Sequence, residues 1–182
     1  MTRRAFVHRI STLTPDDVAG LEAAFDAGRI QPEAVVAIFG KTEGNGCVND
    51  WTRALAARAL RDLLERRLGA AAAAVCVVMS GGTEGALAPH LTVFEIRHSD
   101  DAPHDEALAI GHAHTAHLAP EDLGRLAQVD LVAEAVRRAM AEAAISDPAE
   151  VHLVQVKCPL LTPERIREAG SRCAACATQD PL

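Results

Sequence analysis

Two stretches of this chain repeat one layout, and a duplicated unit restricts the fold more than any other feature of the sequence. FVHRISTLTPDDVAGLEA near the start and AIGHAHTAHLAPEDLGRL at 109–126 share the same order of parts. Each runs from an apolar strand carrying a histidine, through a short polar link, to a helix opened by proline and two acids. The echo continues in QPEAVVAIFGKTEG and DPAEVHLVQVKCPL, each a proline, an acid, an apolar strand and a lysine at its end, Lys41 in the first and Lys157 in the second. Lys157 follows Pro120 at a greater distance than Lys41 follows Pro15, so the second unit holds a longer helical section. A repeat of this length is a duplicated βα unit, not a solenoid, and strands alternating with helices give an α/β or α+β class. The polar, proline-containing HSDDAPHDEA separates a first unit, 1–103, from a partial second, 104–182.

Local signals place the elements. AFVHRI at 5–10 has strand character, and Thr14 as N-cap, Pro15 and two acids predict a helix from Pro15 to Ala27. AVVAIFG is a continuous apolar run expected of a buried strand, ending at Gly40 and Lys41. Asn49 or Asp50 then caps TRALAARALRDLLERRLG, with Leu55, Ala59 and Leu63 on its expected apolar face. AVCVVM is a further strand ending in the turn SGGTEG at Ser80, and LTVFEIR at 91–97 another. In the second unit, strands are expected in AIGHAH and in VHLVQVK.

Composition limits the partners. Eighteen basic against 25 acidic side chains give −7, which repels phosphate backbones and anionic membranes. With 3% aromatic residues and no tyrosine, stacking platforms for single strands are nearly absent, so nucleic acid is not expected as a partner. No apolar run is long enough to span a bilayer, because AAAAAVCVVM is interrupted by Ser80 and two glycines. MTRRAFVHRISTLTPDD has a basic start but neither the apolar stretch nor the cleavage site of a signal peptide. Five cysteines in such a chain suggest reduced thiols in a cytoplasm.

Several motifs could support chemistry. GKT at 40–42 is not a phosphate loop, since the position that should hold the first glycine is Val35 inside a strand. Lys41, at the end of a buried strand beside Gly44 and Gly46, can instead be desolvated and serve as a base, or be an ordinary surface lysine. Ser80 repeats the geometry: a buried strand ends in a small nucleophile followed by Gly81 and Gly82, whose lack of side chains lets a ligand approach closely. A serine activated by lysine is a known variant of the activated nucleophile; the simpler alternative is a strand-to-loop turn. Arg53 enters the following helix's first turn, where its fork could reach a carbonyl oxygen. His112 and His114 are two apart on an expected strand and could face one zinc ion, with His117 nearby, although solvated histidines are the default. Cys173 and Cys176 form a single CxxC without the second pair a tetrahedral zinc site needs.

GKTEGNGCVND, MSGGTEG with the following LAPHLTVF, and VQVKCPLLTP together resemble the ring-opening amidohydrolases, the family of cyanuric acid hydrolase and barbiturase. The resemblance runs along almost the whole chain in the same order. It implies three similar α/β units around a pseudo-threefold axis, each giving one Ser-Lys pair to a central site. Lys41 and Ser80 would be the pair of the first unit. Lys157, the lysine of the second, would be the general base that activates a nucleophilic serine, while Ser80, Gly81 and Arg53 hold a substrate carbonyl. No organic cofactor is implied. The second unit's serine strand and the third unit are absent from these 182 residues, and so is any metal site they hold in the family. A partner chain supplying them is therefore expected, with a small cyclic amide as substrate. Two other readings are a non-catalytic binding or regulatory subunit that keeps the ligand pocket, and a zinc hydrolase built on His112 and His114.

Overall fold

A computed structural model describes residues 2–47, 49–82, 87–99 and 108–179. Residues 83–86 of the glycine turn and 100–107, where the boundary between units was expected, lie outside the described residues. The chain divides into two compact units, Met1–Leu108 and Ala109–Leu182.

The first unit runs β1 (Thr2–Ser11), α1 (Ala19–Asp26), β2 (Val35–Lys41), α2 (Trp51–Leu68), β3 (Cys76–Ser80) and β4 (His90–Ser99). Its sheet has the order β1-β4-β2-β3. β4 pairs antiparallel with both β1 and β2, whereas β2 and β3, joined through α2, lie parallel. Register sets the faces. Ile38 lies opposite Val77 on one side and Val93 on the other, and these side chains meet Leu21 and Phe25 of α1 and Leu60, Leu63 and Leu64 of α2 in one apolar core. Residues of opposite parity, including Phe39 and Phe94 with rings 4.9 Å apart, occupy the other face.

The strands of this unit fall where the apolar runs predict them, and α2 starts at the expected cap: the Asp50 side chain accepts from Thr52 N. Two details differ. α1 begins at Ala19, not Pro15, because the Thr-Pro-Asp-Asp segment closes a turn on itself. Thr14 Oγ1 donates to Asp16, and Asp17 accepts from the backbone N–H groups of Leu13 and Ala19. Along α2 the buried stripe is Ala56, Leu60, Leu63 and Leu64, and Leu55 is 47% exposed. The helix turns toward the sheet the face holding three leucines, the larger apolar area.

The second unit contains α3 (Leu126–Glu142) and α4 (Pro163–Ser171). Again the proline and two acids form a short 3-10 turn, Pro120–Asp122, and the helix starts only after Gly124, which has φ +75°. Arg172 donates to Glu121 of this turn at 2.7 Å and to Glu168 of α4 at 2.9 Å, fastening one to the other. Gly111 lies so close to α3 that a Cβ there would sit 1.8 Å from Ala139 O. The strands expected in AIGHAH and VHLVQVK are not formed: 108–119 and 151–162 have no regular secondary structure. A strand exists by pairing. In the first unit β1 pairs with β4, and β2 with both β3 and β4, whereas the described residues of the second unit form no strand for either segment to pair with.

Candidate functional site

Lys41 and Ser80 are the last residues of β2 and β3, and they are register partners. Alternation puts both on the face opposite the helices, with His90 of β4 as Lys41's other neighbour. Lys41 is buried, and its Nζ donates to Gly81 O at 2.9 Å and also to Gly82 O. The ammonium thus bends over the end of β3 and grips the two carbonyls that follow Ser80. Ser80 is exposed, its Oγ 3.3 Å from Gly81 O. One residue on, buried Thr42 donates its N–H to Ser80 O at 2.9 Å, and its hydroxyl pairs with that of Thr52 at 2.7 Å.

Asp50 is the buried acid of this region. Its carboxylate accepts from Gly46 N at 2.9 Å, from Thr52 N at 3.0 Å and from the Thr52 hydroxyl at 2.5 Å. Arg53 Nε lies 3.5 Å away. The Thr52 hydroxyl is the largest influence on this carboxyl and, with the N–H groups and Arg53, outweighs burial, so its pKa falls below the usual value. The same carboxylate fills the space where two glycines lack side chains. A Cβ at Gly81 would fall 1.7 Å from Asp50 Oδ2, and one at Gly44 would fall 2.1 Å from Oδ1.

Arg53 directs its guanidinium at Cys47 O and Asp50, so it lines the 44–47 loop that abuts Gly81. The first unit therefore brings Lys41, Ser80 and Gly81 together and sets Arg53 one layer behind, beyond Asp50. Lys157 belongs to the second unit, exposed in the irregular segment 151–162. His112 places Nδ1 3.0 Å from Glu142 Oε2, without hydrogen-bond alignment, while its backbone N–H donates to the same oxygen. The His114 ring stands nearly perpendicular to it at 6.4 Å. Among the described residues no three His, Cys, Asp or Glu side chains are grouped to hold a metal ion. All five cysteines are free thiols, and no helix among the described residues is long and apolar enough to cross a membrane.

Asp50 entered the sequence reading only as a helix cap. Gly44, in the loop before it, marks the close approach of that carboxylate, but Gly81, the other glycine whose missing side chain it fills, is distant in the chain.

The first unit is thus an α/β unit whose parallel strand pair ends in register at a lysine and a serine. Residues 6–182 match the amidohydrolase ring-opening protein family, and the chain belongs to it. Among its relatives, the cyanuric acid amidohydrolase of Azorhizobium caulinodans is 58% identical over 98% of this chain and 50% of its own length. That of a Methylobacterium species is 54% identical over 100% of this chain and 49% of its own. Two solved structures superpose over the whole chain and about half of their own. One is the cyanuric acid hydrolase of A. caulinodans, at 57% identity and a TM-score of 0.92. The other, at 45% and 0.90, is a cyanuric acid hydrolase described as an evolutionary innovation by structural concatenation. The chain thus spans about half the length of the relatives it matches.

Proposed function

We propose that this chain is part of a hydrolase that opens a cyclic amide, cyanuric acid or a barbiturate-like ring, with Ser-Lys pairs as its machinery and a partner chain completing the site. The observation that carries this reading is the in-register Lys41–Ser80 pair in a chain 58% identical to a cyanuric acid amidohydrolase. Units 1–103 and 104–182 are two of its repeats, the second partial. Apolar side chains of the second unit, among them Leu153, Val154 and Val156, are exposed, which supports further protein packing there. The free thiols suit a reducing cytoplasm.

In this mechanism Lys157 takes the proton from a serine hydroxyl on the partner chain, and that oxygen adds to a ring carbonyl carbon. The tetrahedral intermediate collapses by breaking the C–N bond, and the ring nitrogen takes the proton back from Lys157. Water then hydrolyses the acyl-serine. Ser80 and Gly81 hold a second carbonyl of the ring, with Lys41 supplying positive charge beside them and Arg53 joining them by turning its guanidinium from Cys47 O. Lys41 serves as a donor here, as its bonds to two carbonyl oxygens suggest.

Co-expression with the remaining half of the A. caulinodans relative, followed by measurement of cyanuric acid consumption, tests this. Turnover should occur only with both parts and vanish in Lys157→Ala. Full activity of that variant would overturn the assignment of the base, and an assembly that binds the ring without opening it would reduce the chain to a binding subunit.

A further inference from the structure

The ring-opening reading assigns Asp50 nothing, yet both strand ends of the candidate site lead back to it. One route runs through space: its Oδ2 occupies the missing side-chain volume of Gly81 and holds Gly46 N, so the two glycine loops touch across it. Gly81 O and Gly82 O in turn receive Lys41. The second route runs through hydroxyls: Asp50 accepts from the Thr52 hydroxyl, which pairs with Thr42, whose N–H holds Ser80 O. A plain N-cap needs one acceptor for one orphan N–H. This carboxylate has four donors around it and its side chain is fully shielded from solvent. That is more than capping α2 requires.

We infer that Asp50 is the positioning residue of this pocket: it sets where Gly81 and Gly82 present their carbonyls, and through them where the Lys41 ammonium lies beside Ser80. The assignment rests on the ring-opening reading for its purpose but not for its geometry. An acceptor on both oxygens is needed, because an amide in the same place turns a donor toward Gly46 N–H or Thr52. Gly44 and Gly81 are glycines because any larger residue would displace that carboxylate.

The test uses the 182-residue chain and needs no turnover. Lys41 is acylated with acetic anhydride, and its rate is followed by peptide mass spectrometry alongside a thermal melt. Asp50→Asn keeps a good N-cap but turns a donor toward Gly46 N–H or Thr52, so the melting temperature should fall, while at a temperature where both proteins stay folded Lys41 should acylate several-fold faster. An unchanged rate would overturn the assignment, since a purely capping role predicts no change. Should the asparagine variant fail to fold, Asp50→Ser, which also caps but cannot reach Gly81, gives the same comparison. Gly81→Ala should likewise speed acylation in the natural background and add little in the Asp50→Ser background, where the carboxylate no longer blocks the methyl and only Gly46 N, at 3.2 Å, must shift slightly. Additive effects of the two would sink the proposed contact. An assembly that never opens a ring would refute the function while leaving these outcomes standing.

Discussion

Lys41 and Ser80 end adjacent parallel strands directly opposite one another, and the lysine ammonium passes the serine to bind the carbonyl oxygens of Gly81 and Gly82. A lysine poised to deprotonate a neighbouring serine would aim at its hydroxyl. Here the charge instead fixes the turn that follows the serine, as the proposed carbonyl-holding role of this pair requires.

The two lysines should therefore fail differently. In the proposed hydrolase assembly, Lys41→Met should mainly raise KM, with kcat/KM falling about 10- to 10²-fold, the scale of one lost hydrogen bond to a charged group in ground-state binding. Lys157→Ala should abolish kcat while ring binding, followed by calorimetry, persists. Equal collapse of kcat in both would mean that Lys41 shares the proton transfer.

Burial along α2 gives a second expectation. Leu63 is fully buried and Leu55 is 47% exposed. Leu63→Ala should lower unfolding free energy by about 2–5 kcal/mol through lost burial and a residual cavity. Leu55→Ala should stay within about 0.5 kcal/mol. Urea titrations of both variants decide, and equal losses would contradict the orientation of the helix.

Periodicity locates α2 but leaves its apolar face open, because Leu55 and Leu63 fit a helical period as well as Leu60 and Leu64 do. Only the sheet's position selects between them. Lys41 and Ser80 were legible because hydrophobic runs end there, and a buried strand must surface where its apolar run stops. The late helix starts were not, since Asp17 can serve a turn or a cap with the same atoms. Strands in the second unit failed for a different reason: pattern encodes which residues can join a sheet, while pairing needs a neighbour. The role of Asp50 was hidden because Gly81 reaches it only through the tertiary fold.

Glu95 predicts a pH response. It is fully buried at the end of the sheet away from Lys41, where burial opposes its charge but is outweighed by Arg97, by Gln31 N–H and by His8, at 2.7–2.8 Å. Its pKa is thus lowered from 4.5. A depressed carboxylate contributes stability that is fully present above the unfolded value and is lost as pH falls from there through the folded value. Glu95→Gln should be less stable than the natural chain at pH 7, and the gap should narrow below about pH 4.5. Melting curves that remain parallel down to pH 3 would remove Glu95 from the acid response.

Two glycines of the second unit should respond in opposite directions to the same substitution. A Cβ at Gly111 would sit 1.8 Å from Ala139 O, and because that atom is α3 backbone it cannot swing aside. Gly111→Ala must push segment 109–114 off the helix, loosening the His112 N–H bond to Glu142. Gly170, near the end of α4, has nothing within 4 Å of its added methyl. Gly170→Ala should stabilise by up to about 1 kcal/mol through helix propensity. Thermal melts should show Gly111→Ala lowered and Gly170→Ala unchanged or raised, and faster hydrogen exchange at His112 N should appear only in the first. A Gly111→Ala protein that melts like the natural chain would show that the irregular segment does not rest on α3.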